Sequence, residues 1–293
     1  MKIKITVLLL LVLFVTSCQY EPIGQPSEIE EKVFFTGLDC VGSGEYFFNP
    51  DNLLEDLVIP DSLPESYDLS TFLPPIGNQG QQGSCASWAV SYYMKSLQEN
   101  LKTELPNTAE TIMSPSYTYN QITRGDCTGT SISETLDLIM EKGVCSISEF
   151  PYSDSNCSLQ PTDSVIKLAE NAKISHYKNL SGNNMVLEIK TLITEQTPII
   201  IGTYLSDEFG KVDEFDLVAY REHQVDYGSE RCHAMLVIGY SDTYNAFKVV
   251  NSWGSDWGND GFIWIDYKAF ENVLDENAGF RIINQAYVAY DLN

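Results

Sequence analysis

Positive charge is scarce in this 293-residue chain. Seventeen lysines and arginines stand against 41 acids, a formal net charge of −24. Removing residues 1–17, which carry Lys2 and Lys4, takes away two positive charges and leaves −26. Such a field repels phosphate backbones and excludes electrostatic binding of nucleic acid; solubility is its plain reading. A membrane-spanning run is also missing, because the one strongly apolar stretch, Ile5 to Val15, is too short to cross a bilayer. Only three histidines are present, so imidazole chemistry rests on His176, His223 or His233. His176 follows a lysine-containing stretch and His223 sits among acids, and both read as solvated. There is no internal repeat, metal-ligand spacing, phosphate-binding loop or nucleic-acid motif, so no metal and no cofactor is implied.

The N-terminus reads as an address. Met1 to Lys4 is basic, Ile5 to Val15 is apolar, and Val15-Thr16-Ser17-Cys18 follows. That ending resembles a bacterial lipobox. It implies a signal peptide over 1–17, lipidation of Cys18 and a location in the bacterial cell envelope, anchored to a membrane without spanning it. The alternative is an ordinary signal peptide with Cys18 incidental. Residues 18–65 form a polar, proline-broken tether or short propeptide-like segment. Its clusters Val33-Phe34-Phe35, Tyr46-Phe47-Phe48 and Leu53 to Ile59 exceed what a disordered spacer needs. Part of it is therefore expected to pack on the domain that follows, and whether it blocks a cleft is open.

The chemistry centres on Gly77-Asn78-Gln79-Gly80-Gln81-Gln82-Gly83-Ser84-Cys85. A glycine-rich loop runs into a segment where Ala86, Ala89, Val90, Tyr93, Met94 and Leu97 recur at helical spacing. Ser84 is the expected N-cap, and Cys85 falls in the first turn, where the helix field favours thiolate. Gln79, six residues upstream, offers an amide to an oxyanion formed beside that sulfur. A thiolate needs a base, and His233 opens an apolar strand, Ala234 to Tyr240. Asn251 ends the next strand and would accept from or donate to the ring, fixing its tautomer.

These residues resemble the papain family (C1) of cysteine peptidases. The matching blocks are Gln79-Gly80 with Gly83-Ser84-Cys85, His233-Ala234 with Gly239-Tyr240, Asn251-Ser252-Trp253-Gly254, and Trp257-Gly258 with Gly261. The resemblance runs from about Tyr67 to about Tyr267. It implies an α+β, two-lobe fold with a helical left lobe at about 80–145, an antiparallel β right lobe at about 170–293 and the active-site cleft between them, the whole catalytic domain covering 66–293. It implies hydrolysis of a peptide or protein substrate through a Cys85 thioester, with Cys85, His233, Asn251 and Gln79 catalytic. Trp253 resembles the aromatic that shields the His–Asn contact. Gly83, Ser84, Gly129, Ile132, Cys232 and Trp253 are the implied substrate-binding positions. Thr130 replaces the second glycine of the family's Cys-x-Gly-Gly segment, Ala86 stands where a large aromatic is common, with Trp88 available to fill the space, and Cys232 stands where an Asp is common.

The remaining cysteines leave choices open. Cys127 and Cys157 resemble positions bridged elsewhere in the family whose partners are lost here, and they either pair with each other or do not. Cys232 is expected as a buried free thiol. Along the chain, helices are expected at 85–100, 115–123, 133–142 and 184–196, and strands at 174–177, 198–204, 234–240, 246–251 and 262–266. Ser70 to Pro75 should be extended because of its paired prolines. Ile147 to Lys167 reads as a crossover and Ser206 to Arg231 as an acidic insertion, either a solvated loop or a rim of the cleft. A monomer is expected. The rival readings are a non-catalytic binding protein on the same scaffold, and an exopeptidase, amidase or acyltransferase using the same thiolate.

Overall fold

Ten consecutive residues from Cys232 to Ser241 are buried without alternation, and they form the central strand of the sheet, β5. A strand reads this way only when both of its faces are covered. Here one face packs on the helix that starts at Cys85 and the other on a helix at Met185–Thr194. A computed structural model describes residues 34–38, 52–103, 107–180, 184–205, 209–210, 219–220, 231–271 and 282–292. The expected signal peptide, Cys18 and most of the acidic insertion lie outside the described residues.

The other strands are β1 (Ser66–Asp68), β2 (Ile174–Asn179), β3 (Ile199–Tyr204), β4 (Ala219–Tyr220), β6 (Ala246–Val250), β7 (Phe262–Asp266) and β8 (Ile283–Asp291). They lie in the order β2-β8-β3-β5-β6-β7-β4, with β1 paired to β5 off that path. Among the described strands every pairing is antiparallel except β4 with β7. β5 and β6 are neighbours, with Leu236 opposite Val250, so His233 and the residue just after β6, Asn251, come from adjacent strands. The strand β8 was not read from the sequence, and neither was β1.

The helix at Cys85, α1, is continuous but not uniform. It consists of an α turn (Cys85–Ser87), a π-helical stretch (Trp88–Lys95) and a second α segment (Ser96–Leu101). Its six periodic apolar residues are all buried. Ser84 occupies the N-cap position but its side chain caps nothing. It bonds the Tyr152 hydroxyl instead, at 2.9 Å, a correction of the expected cap. α2 (Pro115–Thr123) begins as expected, with Ser114 accepting from the Tyr117 N–H and Pro115 in the first turn. α3 (Ile132–Lys142) starts one residue earlier than read, fixed by a Ser131–Glu134 capping box, and stops at Gly143 with φ 79°.

Three further departures are local. The expected crossover contains α4 (Asp163–Ala169). Ser70–Phe72 is one 3₁₀ turn rather than extended chain, and Leu73, directly before a proline, is extended. Cys232 is disulfide-bonded, so it is not the free thiol expected from its sequence context. Cys127 and Cys157 do pair with each other, 30 residues apart. Among the described residues the free cysteines are Cys85 and Cys145.

Candidate active site

The loop before α1 is held by the loop after β6. Gln79 N–H donates to Ser252 O at 2.8 Å, and Gly254 N–H to Gly77 O at 2.9 Å. Tyr93, inside α1, accepts from Gly77 N–H and donates to Asn251 O at 2.9 Å. These bonds tie the Cys85 loop to the Asn251 loop although the two are far apart in sequence. The Gln79 side chain is fully buried. Its Oε1 accepts from Ser252 Oγ at 2.6 Å and its Nε2 donates to Gln82 O at 2.8 Å. Flipping the amide would set oxygen against the Gln82 carbonyl, so its orientation is chemically determined. One Nε2 hydrogen remains uncommitted by these bonds.

His233 is fully buried on β5. Its Nε2 lies 2.7 Å from Asn251 Oδ1. That oxygen also accepts from Ser252 N–H at 2.7 Å, which identifies it as the carbonyl end of the amide. The ring nitrogen facing it must therefore donate, and in the neutral imidazole Nδ1 is left as the free base. Nδ1 has no hydrogen-bond partner among the described residues. Of the two options open from sequence, Asn251 accepts. Trp253 stacks on the imidazole with centroids 4.6 Å apart, and Trp257 and Phe209 meet Trp253 edge-on. Phe209 belongs to the acidic insertion, so that segment reaches the aromatic cover at this residue.

Cys85 comes from α1 and approaches the same strand. Its thiol is within hydrogen-bond reach of the backbone of Ala234, the residue after His233, and of Ala86 and Gly37. Burial pushes the thiol up to about 11, against the opposing pull of those backbone groups. Burial likewise pulls the His233 imidazole down to about 4, with the Asn251 bond acting the other way. Burial in this covered site thus works against the thiolate expected at a helix start and against an imidazolium partner.

The cover is a short piece of the N-terminal segment. Phe34 stacks on Trp253 at 4.9 Å, and Trp253 Nε1–H donates to Phe35 O at 2.8 Å. Thr130 N–H donates to Gly37 O at 2.8 Å. Leu38 bridges to Cys232 on one side and Thr130 on the other. Gly37 lies so close to Gly83 that a Cβ there would sit 2.1 Å from the Gly83 carbonyl oxygen. Only a residue without a side chain allows this approach.

The expected substrate-binding residues divide accordingly. Gly83, Cys232 and Trp253 all touch the segment. Gly129 and Ile132 flank the contact in sequence, and Thr130 makes it. Ser84 points to Tyr152 rather than into the cleft. Trp88, expected to fill the space of a missing aromatic, packs on Tyr92, Tyr93 and Tyr152. Sequence reasoning missed Thr130, Gly37 and Ser252 as site residues. The paired aromatics at 34–35 were the available signal for the cover.

A family model described as papain family cysteine protease matches residues 63–279. The chain is 25% identical over 224 residues to the peptidase C1-like protein L477 of Acanthamoeba polyphaga mimivirus, covering 71% of this chain and 69% of that protein. It is 30% identical over 199 residues to cysteine proteinase 1 of Entamoeba histolytica, covering 64% of this chain and 58% of that one. In structure it resembles xylellain, a cysteine protease from Xylella fastidiosa, with a TM-score of 0.66 at 21% identity over 89% of this chain and 100% of that one. The family match covers the helical lobe, the sheet as far as β7, and Gln79, Cys85, His233 and Asn251, and the chain belongs to the papain family of cysteine proteases.

Proposed function

We propose that this chain is a latent peptidase that hydrolyses peptide bonds through a thioester on Cys85. The observation that carries the reading is the orientation of His233: Nε2 is committed to Asn251 Oδ1, and the basic Nδ1 is free. The Cys85 proton passes to Nδ1, giving a thiolate and an imidazolium that stabilise each other. The sulfur attacks the substrate carbonyl carbon. The oxyanion accepts from the Cys85 N–H and the Gln79 side chain. As the C–N bond breaks, His233 returns its proton to the departing amine, leaving an acyl thioester. Water then gives a proton to His233 and attacks the thioester, and the acid leaves as the thiol is restored.

Residues 34–38 keep the enzyme silent in two ways. They fill the channel, and they dehydrate the catalytic pair so that it stays neutral. Withdrawal of the segment admits water and substrate, and the ion pair forms. The N-terminal features fit an exported precursor, lipidated at Cys18, that acts as a monomer on peptide substrates at the bacterial cell envelope. Labelled fatty acid incorporated by the wild type but not by Cys18→Ser would test the anchor.

Activity is tested with fluorogenic peptides, blocked or free at their termini, offered to the full chain, to Gly37→Ala and to Cys85→Ser. Cleavage by Gly37→Ala that Cys85→Ser lacks is expected, and cleavage of the fully blocked peptide marks an endopeptidase. No turnover of any peptide by Gly37→Ala would end the peptidase reading.

A further inference from the structure

A bulge in β8 sets two consecutive carboxamide residues, Asn284 and Gln285, beside Gly202 of β3. Gly202 of β3 pairs with Gln285, but the next residue, Thr203, pairs with Ile283, so Asn284 is the extra residue. Where two residues on one strand oppose one on the other, neighbouring side chains no longer alternate strictly between faces. The point where a Cβ on Gly202 would project lies 3.2 Å from Asn284 Oδ1, 3.1 Å from Gln285 Cβ and 2.9 Å from Leu38 Cδ2. Three side chains therefore share the space that the missing side chain at 202 leaves open.

This space is closed off and several polar atoms around it lack a protein partner. Asn284 and Gln285 are 0% and 1% exposed. Among the described residues Asn284 Oδ1, Asn284 Nδ2 and Gln285 Nε2 have no hydrogen-bond partner. The same holds for the hydroxyl of Thr130, whose backbone pairs with Leu38. Buried polar atoms are nearly always paired, because leaving them unpaired is costly. The isobutyl group of Leu38 pairs with none of them.

We propose that this space is the pocket by which the peptidase chooses its substrates, and that it takes a side chain carrying a carboxamide or hydroxyl. Asn284 is the residue that decides the choice, with Gln285 and Thr130 supplying further partners, and Leu38 is an apolar stand-in that seals the pocket without pairing. An uncharged occupant follows from the lining: Asn284, Gln285 and Thr130 offer donors and acceptors but no counter-charge for an ion. The inference rests on the peptidase reading of the same site.

Asparagine has nearly the shape of leucine, which makes the test direct. In the full chain, Leu38→Asn and Leu38→Ala are compared in the wild type and in an Asn284→Leu background. Two quantities are read: the thermal midpoint, and the rate at which an epoxide thiol trap labels Cys85. Leu38→Asn is expected to stay within about 2 °C of the wild-type midpoint. Labelling should rise less than about threefold for Leu38→Asn and about tenfold or more for Leu38→Ala. In the Asn284→Leu background the order should reverse, because the carboxamide at 38 then faces an apolar wall. A midpoint for Leu38→Asn in the wild type at or below that of Leu38→Ala would overturn the proposal, whether or not Cys85 reacts. Midpoints in the expected order with Cys85 inert in every variant would support the pocket chemistry and reject the peptidase reading instead.

Discussion

Replacing Gly37 by alanine is expected to uncover Cys85. The new methyl would lie 2.1–2.3 Å from the backbone of Gly83, which no side-chain rotation relieves. Residues 36–38 must lift, and with them go the Thr130 N–H···O bond to Gly37 and the seat of Leu38, which is 5% exposed. A net hydrogen bond at about 0.5–1.5 kcal/mol and a buried leucine at about 1.5–3 kcal/mol set the loss at roughly 2–4 kcal/mol. The covered-to-open ratio should then fall by roughly 30- to 1,000-fold. The assay is the rate of alkylation at pH 7, located by mass spectrometry on the peptide holding Cys85. Cys145, also buried and free, serves as the internal control. An unchanged Cys85 rate in a natively folded Gly37→Ala chain would refute the idea that this segment covers the sulfur.

Other outcomes follow from the same geometry. Asn251→Ala removes the acceptor at His233 Nε2, and a lost bond of this kind, at about 1.5–3 kcal/mol, should lower kcat by roughly 10- to 150-fold and alter the pH–rate profile; an unaltered profile would mean the ring is oriented by something else. Breaking the Cys127–Cys157 bridge with paired serines opens a loop set by a 30-residue separation, which should cost about 3–4 kcal/mol in denaturant unfolding. The pH dependence has a definite sign. His233 is held neutral, down to about 4, so its contribution is complete above the free value of 6.5 and is lost as pH falls toward 4. That loss amounts to about 3 kcal/mol. The wild-type thermal midpoint should therefore fall more steeply between pH 7 and pH 4.5 than that of His233→Asn, and parallel curves would contradict it.

The catalytic set was legible because each member carries chemistry that few other residue types supply. A helix-start cysteine behind glycines, a histidine opening a strand and an asparagine closing the next strand narrow the possibilities sharply. The fold followed from the same periodicities: α1, α2 and α3 and the strands from β2 to β7, except the short β4, lie close to where apolar spacing puts them. What failed depended on distant partners. Ser84 has the composition of a cap, but Tyr152 claims its hydroxyl. Cys232 has the apolar neighbours of a free thiol, yet it is bridged. β8 gave no clear alternation, since seven of its nine residues are buried in succession between β2 and β3.

The amino-acid order alone determined the reactive groups, the family and the two kinds of lobe, because helix and strand periods and reactive side chains are local properties. Only the tertiary structure decided the protonation and access of those groups. The bond from Trp253 to Phe35 spans 218 positions, and burial among such remote segments pushes the thiol up and the imidazole down. Dehydration is a property of the assembled surroundings, and no window of sequence contains it.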